Sequence, residues 1–314
     1  MTPTKPVITM GEILTAFLAE NDVPLGAAAR FDRTFAGAES NVAIALARQG
    51  VASAFIGRVS TDAFGSAALR HLRGEGVDVA SVVADPANSG FLVRSVGSAR
   101  PTEVVYGRLG SAGSRLAPAD IPLSLIAGAA ALHFTGITPM LSQSAHQACL
   151  LAARIARDNT VPFSFDPNLR FRLAPLEAWR ESLAPFLELA NIVLIGADEA
   201  RHLSALDDIE AAARWIRREQ TDIIVIKDGA AGSSAWYQDE WHSVPAHSVT
   251  SVDPVGAGDA FNAGFLSAWL AGEGIKSAMA RGSMIGAAVV TARGDTTGIP
   301  TTGETDIFTF DVVR

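Results

Sequence analysis

Cysteine is almost missing from this chain: Cys149 is the single one among 314 residues. An internal disulfide is therefore excluded, and a cysteine-based metal site has no ligand set. Cys149 falls in the predicted helix Gln143–Arg157, where a lone thiol reads as a small packed hydrophobe. Charge is scarce too. Charged residues make up 18% of the chain, below the usual share of about a quarter, which fits a large buried core. Basic runs are absent and the net charge is −8, so neither nucleic acid nor an anionic membrane is an expected partner. No uninterrupted apolar run reaches the length of a membrane span; Ser124–Ile137 comes nearest, and it carries His133. Met1–Pro6 leads directly into a strand-like run, without the basic region and apolar stretch of a signal peptide, and a cytoplasmic protein is expected. Two nucleotide-binding patterns are also lacking. There is no Gly-x-x-x-x-Gly-Lys-Ser/Thr loop, and no Gly-x-Gly-x-x-Gly follows the first strand.

What is present is an apolar chain, 48% hydrophobic, long enough for one α/β domain over residues 1–314. Pro6–Leu18 reads as a strand or strand pair interrupted at Gly11 and Glu12, and Ser40 as the N-cap of an apolar helix. Gly90–Val96 and Thr102–Arg108 read as a hairpin framed by no helices. With part of Met10–Phe35 they form an expected lid, drawn from about residues 10–36 and 88–110. Gly110–Pro118 is expected to be a flexible loop. From Ala129 onward, strands and helices alternate regularly, which argues for a parallel sheet covered on both faces. Polar or glycine-rich segments fall where these strands end: Thr135–Pro139, Asp166–Arg170, Gly196–Glu199 and Lys227–Gly232. Open α/β sheets bind ligands at that edge.

The most informative stretch is Val252–Phe261. Gly256 and Gly258 stand where an apolar helix should begin, so their N–H groups lack intrahelical partners and face the positive end of the helix dipole. Asp259 follows in the first turn, placed to take a proton from an attacking hydroxyl. An anion cradle beside a base suits phosphoryl transfer, which is mostly positioning and charge stabilisation. Taken alone, Gly-Ala-Gly-Asp also describes an ordinary turn and helix cap. Other candidates carry the same ambiguity. Gly37 and Asn41 sit at a helix start, where backbone can approach a ligand and an amide can meet a sugar hydroxyl. Tyr106 and Arg108 point from one face of a strand, as they would on a solvated one. His133 and His202 have no partner at ligand spacing and read as structural.

Asp253-Pro-Val-Gly-Ala-Gly-Asp-Ala-Phe261 resembles the C-terminal fingerprint of the ribokinase (PfkB) family of carbohydrate kinases. Gly37–Ala43 is similar to that family's N-terminal signature, with Ala36 where a second glycine is common. The resemblance covers nearly the entire chain. Gly11–Leu14, Ala36–Glu39, Gly110–Pro118, His133–Pro139 and Arg293–Asp295 look most like the 2-keto-3-deoxygluconate kinases within it. It implies a ribokinase-like three-layer α/β/α sandwich, with a central mostly parallel sheet and a small β-strand lid. It also implies ATP- and Mg²⁺-dependent phosphorylation of a sugar acid at its primary hydroxyl. Asp259 would be the base, and Gly256, Ala257 and Gly258 the anion hole. Lys227, Gly229 and Gly232 would lie along the nucleotide, Asn168 would face its phosphates, and Ala287 and Ala288 would wall the adenine. Sugar contacts would come from Gly37, Asn41, Tyr106, Arg108, Ile137, Arg170 and Asp295. Arg108 and Arg170 supply forked donors suited to a carboxylate, with Asp166 orienting Arg170 through an ion pair. Gly196 replaces an asparagine common in the family, leaving no direct metal ligand and Glu199 acting through water. A fructokinase-like enzyme and a silent sugar-binding protein of the same fold are the alternatives. Exposed lid edges suggest homo-oligomer formation through the lid.

Overall fold

Strands that are apolar at nearly every position have two faces to bury, and this chain covers both. The structure is a computed structural model that describes residues 5–20, 23–96 and 102–304. Its N-terminal strands are β1 (Val7–Met10), β2 (Leu14–Ala19), β3 (Phe31–Ala36), β4 (Ser53–Ile56), β5 (Arg58–Ser60), β6 (Val83–Asp85), β7 (Phe91–Arg94) and β8 (Val104–Gly107). There follow β9 (Ala131–Thr135), β10 (Phe163–Asp166), β11 (Ile192–Gly196), β12 (Ile223–Lys227), β13 (Ser233–Tyr237) and β14 (Glu240–Val244). The main sheet runs β14-β13-β12-β11-β10-β9-β1-β4. It is parallel from β12 to β4, and the β13–β14 hairpin adds an antiparallel edge.

Alternate residues of each strand feed opposite cores, as a period of two requires. Ile8, Leu132, Phe134, Val193, Ile195 and Ile224 face helices Gln143–Asp158 and Leu176–Leu189. Val7, Ala131, Ile192, Leu194 and Val225 face helices Ala38–Arg48, Ala257–Leu270 and Ile275–Val289. The result is the expected three-layer α/β/α sandwich. Phe134 anchors the first core, with Phe163 4.7 Å and Phe186 5.6 Å away between ring centroids. Each such ring stabilises the fold by about 1.5–3 kcal/mol on burial. Cys149 is fully buried in that core, a packed hydrophobe as expected.

The lid is a separate sheet in the order β3-β2-β7-β8, with Leu14, Ala16, Leu18 and Leu92 buried beneath it. β7 and β8 form the predicted hairpin, and residues 97–101 of its loop lie outside the described residues. The short parallel pair β5–β6 was not anticipated; three residues are too few to show a period.

Two local readings need correction. The helix after β3 begins at Ala38, not after Ser40, and its N-cap is Gly37 with φ +133°. A Cβ at Gly37 would stand 2.3 Å from the carbonyl oxygen of Glu12, so only glycine lets the chain pass there. Ser40 instead donates from Oγ back to the Gly37 carbonyl at 2.8 Å. The stretch Gly110–Pro118 is not a loose loop: Ser111, Ala112 and Ser114 are buried around a short 3₁₀ turn. Its small residues permit close packing against Glu12 rather than mobility.

Strand order reverses at β1, which has β4 on one side and β9 on the other. A crevice forms at such a switch point, beyond the carboxyl ends of the strands. Among the described residues no helix is long and apolar enough to cross a membrane.

Candidate active site

A cavity of about 1210 Å³ opens at those strand ends, with lid residues such as Leu92 and Tyr106 on its wall. Pockets for one small molecule span about 300–1,000 Å³, and this cavity lies above that range.

The glycine turn forms one part of its wall. Gly256 is the N-cap of helix Ala257–Leu270, in a left-handed conformation with φ +88°. Its missing side chain is demanded by contact: a Cβ there would lie 2.3 Å from the Asp295 carbonyl oxygen. The Ala257 N–H reaches the Pro254 carbonyl only at 3.4 Å, and the Gly256 and Gly258 N–H groups meet no backbone acceptor among the described residues. Gly256, Ala257 and Gly258 all line the cavity, at the helix end where free N–H groups and the dipole favour an anion.

Asp259 lies beside them and also lines the cavity, yet is only 9% exposed. Burial pushes its carboxyl up to about 7, helped by the nearby Asp166 and Asp295 carboxylates; a hydrogen bond from Asn41 and the charge of Arg170 pull the other way. Asn41 Nδ2 donates to Asp259 Oδ2 at 2.8 Å. A carboxylate poised near neutrality suits proton abstraction at physiological pH.

Lys227, at the end of β12, brings an ammonium to the same place. Its Nζ donates to Asp166 Oδ2 at 2.7 Å and Asn262 Oδ1 at 3.0 Å, and lies 3.7 Å from where a Gly258 Cβ would be. Asn262 Nδ2 also donates to Asp166 Oδ2, at 2.7 Å. Asp166 is thus committed to Lys227 and Asn262, and the expected ion pair with Arg170 does not form. Arg170 is exposed, and its Nη1 donates to the Leu169 carbonyl at 2.9 Å. Asn168 takes a left-handed φ of +45° at the end of β10 and reaches the cavity wall.

Glu199 turns back on the backbone: Oε1 accepts from Leu169 N–H at 2.7 Å and Oε2 from Gly196 N–H at 3.0 Å. Burial raises its pKa. A side-chain Cβ at Gly196 would press to 3.1 Å from Glu199 Oε2, so the glycine found there suits this tucked arrangement.

On the lid side, Tyr106 and Arg108 do share a face, with the guanidinium 5.0 Å from the ring centroid. Arg108 forms an ion pair with Glu12, which follows β1 and is buried. Gly37, Asn41, Ile137, Arg170, Asp295, Gly229 and Gly232 also line the cavity. Ala288 does not. It is fully buried behind the wall, which Ala287 and Gly286 form instead.

His133 is a core residue, its Nδ1 3.0 Å from Ser164 Oγ, with burial pushing its pKa down to about 4. His202 caps its own helix turn through the Asp198 carbonyl at 2.6 Å.

Four residues of the site escaped the sequence reading: Glu12, Glu39, Arg94 and Asn262. Glu39 is buried and accepts at Oε1 from Thr135 N–H and from the hydroxyls of Thr135 and Thr138, at 2.7–3.0 Å. Burial raises its pKa. Asn262 had a signal, as a polar residue one turn after Asp259 in an otherwise apolar helix.

Fold and cavity together place a glycine-bounded helix start and a buried acid, Asp259, in one large pocket at the strand ends of an α/β sandwich. Residues 6–302 match the pfkB family carbohydrate kinases. The chain belongs to this family and is a carbohydrate kinase. It is 35% identical over 305 residues to the 2-dehydro-3-deoxygluconokinase of Thermoproteus tenax, covering 96% of this chain and 93% of that one. It is 34% identical to the enzyme of the same name from Bacillus subtilis (strain 168), over 94% and 92% of the two chains. Among solved structures, an E. coli protein assigned as ribokinase II, in complex with ATP and Mg²⁺, superimposes with a TM-score of 0.89. That pair is 25% identical, over 97% of this chain and 99% of the other.

Proposed function

We propose that this carbohydrate kinase is a 2-dehydro-3-deoxygluconokinase, moving the γ-phosphoryl group of ATP onto the primary hydroxyl of 2-keto-3-deoxygluconate. The observation that carries the reading is one cavity lined both by the Gly256–Asp259 turn and by two arginines, Arg108 and Arg170. A neutral sugar needs no such pair, whereas a sugar acid presents a carboxylate that planar guanidinium groups match. The two relatives named for this activity point the same way.

The chemistry follows from the side chains. Asp259 takes the proton of the primary hydroxyl as its oxygen attacks the γ-phosphorus. The new O–P bond forms while the bond to the β-phosphate oxygen breaks, and ADP departs. The N–H groups of Gly256, Ala257 and Gly258 receive the charge spread over the transferring group, and Lys227 supports it from across the turn. Asn168, Gly229 and Gly232 lie along the nucleotide, and Asn41, Tyr106, Ile137 and Asp295 about the sugar. Glu12 holds Arg108 until the substrate carboxylate competes for it.

Mg²⁺ keeps several waters and takes few protein carboxylates. Asp166 and Glu199 stand at the strand ends with their oxygens already hydrogen-bonded, and among the described residues no cluster of three His, Cys, Asp or Glu could hold an ion alone. These two would meet through water an ion whose chemistry is to offset phosphate charge.

The test is ATP turnover with 2-keto-3-deoxygluconate, fructose, ribose and adenosine in parallel. The acid is expected to give the highest kcat/KM by at least ~100-fold, with Arg108→Ala weakening the acid more than ATP. Preference for fructose would make the protein a fructokinase, and tight sugar binding without turnover would make it a binding protein.

A further inference from the structure

A line of buried side chains runs from the lid to the reacting carboxylate, and its first link has no part in the chemistry above. Arg94, the last residue of β7, is 2% exposed. Its Nη1 donates to Asp253 Oδ1 at 3.0 Å, and its Nη2 to Asp253 Oδ2 at 2.7 Å and Asp295 Oδ1 at 3.0 Å. One planar fork therefore serves two carboxylates, a geometry that lysine cannot copy.

Both acids reach the glycine turn. Asp253 stands at its entrance, accepting from Val255 N–H at 3.3 Å and Gly294 N–H at 3.0 Å. Asp295 backs it, since its carbonyl oxygen occupies the space a Gly256 Cβ would need. Asp295 Oδ2 lies 3.5 Å from Asn41 Nδ2, and that same nitrogen donates to Asp259 Oδ2 at 2.8 Å. Asp253, Asp295 and Asp259 thus form one buried acidic group. Leaving such carboxylates unpaired is costly. The cation that pairs with two of them comes from a different sheet, the lid, 159 positions from Asp253 in sequence.

We propose that Arg94 is a positioning residue for phosphoryl transfer, through which the seated lid sets both the glycine turn and the orientation of Asp259. Through Asp253 it holds the turn that receives the phosphoryl group, and through Asp295 and Asn41 it holds the base. This rests on the reading of Asp259 and the turn given above, and it assigns to the lid a part in the chemical step as well as in covering the sugar.

The test is a double-mutant cycle of Arg94→Lys and Asp253→Asn, run on whichever sugar the wild-type enzyme phosphorylates. A wrong substrate then shows in the wild type, and a wrong base in Asp259→Asn, while the cycle stays readable. Arg94→Lys keeps the charge and loses the fork; kcat is expected to fall ~30-fold with KM for ATP within ~3-fold. Asp253→Asn should lose a similar amount, and the double variant should fall no more than ~3-fold below the poorer single one, because both break one link. In Arg94→Ala, added guanidinium ion should restore kcat at least ~10-fold. An arginine that only stabilises the fold would lower the melting temperature and give no such rescue. Losses that multiply in the double variant, a kcat for Arg94→Lys within ~3-fold of wild type, or a folded Arg94→Ala that guanidinium leaves unchanged would each overturn the proposal. If Arg94→Ala does not fold, the cycle decides.

Discussion

Asp259→Asn is expected to lower kcat by about 10³-fold while ATP still binds. Asparagine keeps the shape and can still accept from Asn41, so what disappears is the capacity to take a proton. The same substitution should make the protein more stable at alkaline pH, because it removes a buried charge. In the folded chain burial lifts the Asp259 pKa from an ordinary 3.8 to about 7. A raised carboxyl pKa favours the fold fully below the unfolded value and loses that contribution as pH rises through the folded one. At pH 8 the wild-type protein therefore carries an ionised, buried carboxylate that costs roughly 4 kcal/mol, and Asp259→Asn does not. Thermal melts at pH 8 should show the variant melting higher, with the gap shrinking as pH falls toward 4. Retained activity would remove Asp259 from the role of base.

The second large effect separates two glycines of one turn. Gly256→Ala places a methyl against the Asp295 carbonyl at a positive φ. Strain of that kind costs about 1–3 kcal/mol before the clash is counted, so this variant should be both unstable and inactive. At Gly258, which lines the cavity, a methyl would meet only Lys227 Nζ, 3.7 Å away. Gly258→Ala should fold as well as wild type, or better by up to ~1 kcal/mol, since alanine is the better helix former. Its kcat should nevertheless fall about 100-fold, because the methyl takes space meant for the phosphoryl group. Melting temperature and kcat measured on the pair distinguish these outcomes. A fully active Gly258→Ala would show that the transferring group sits elsewhere.

Much of the fold was legible because its strands are extreme. Ile192–Gly196 and Ile223–Lys227 are apolar runs bounded by polar turns, and a run of that kind has few uses other than a sheet buried on both faces. The glycine turn was legible for a similar local reason: two glycines and an acid at the start of an apolar helix state their conformation within four residues. Side-chain partners were not legible. Asp166 pairs with Lys227, 61 positions away, rather than with the nearby Arg170, because register places Gly196 beside Lys227 and brings the ends of β10, β11 and β12 together. Arg94 stands in a short strand with no local sign that its guanidinium turns inward to Asp253. Ala287 and Ala288 are alike in sequence, and only the packing of helix Ile275–Val289 decides which faces the cavity.

The most direct measurement is kcat/KM for the sugar that the enzyme phosphorylates from pH 5 to 9 at saturating Mg-ATP, for wild type and Asp259→Asn. The wild-type value should rise about tenfold per pH unit below an inflection near 7 and then level off, as expected when one buried carboxyl must lose its proton. The variant should show a flat, residual rate. A wild-type profile without that inflection, or the same inflection in the variant, would contradict the account.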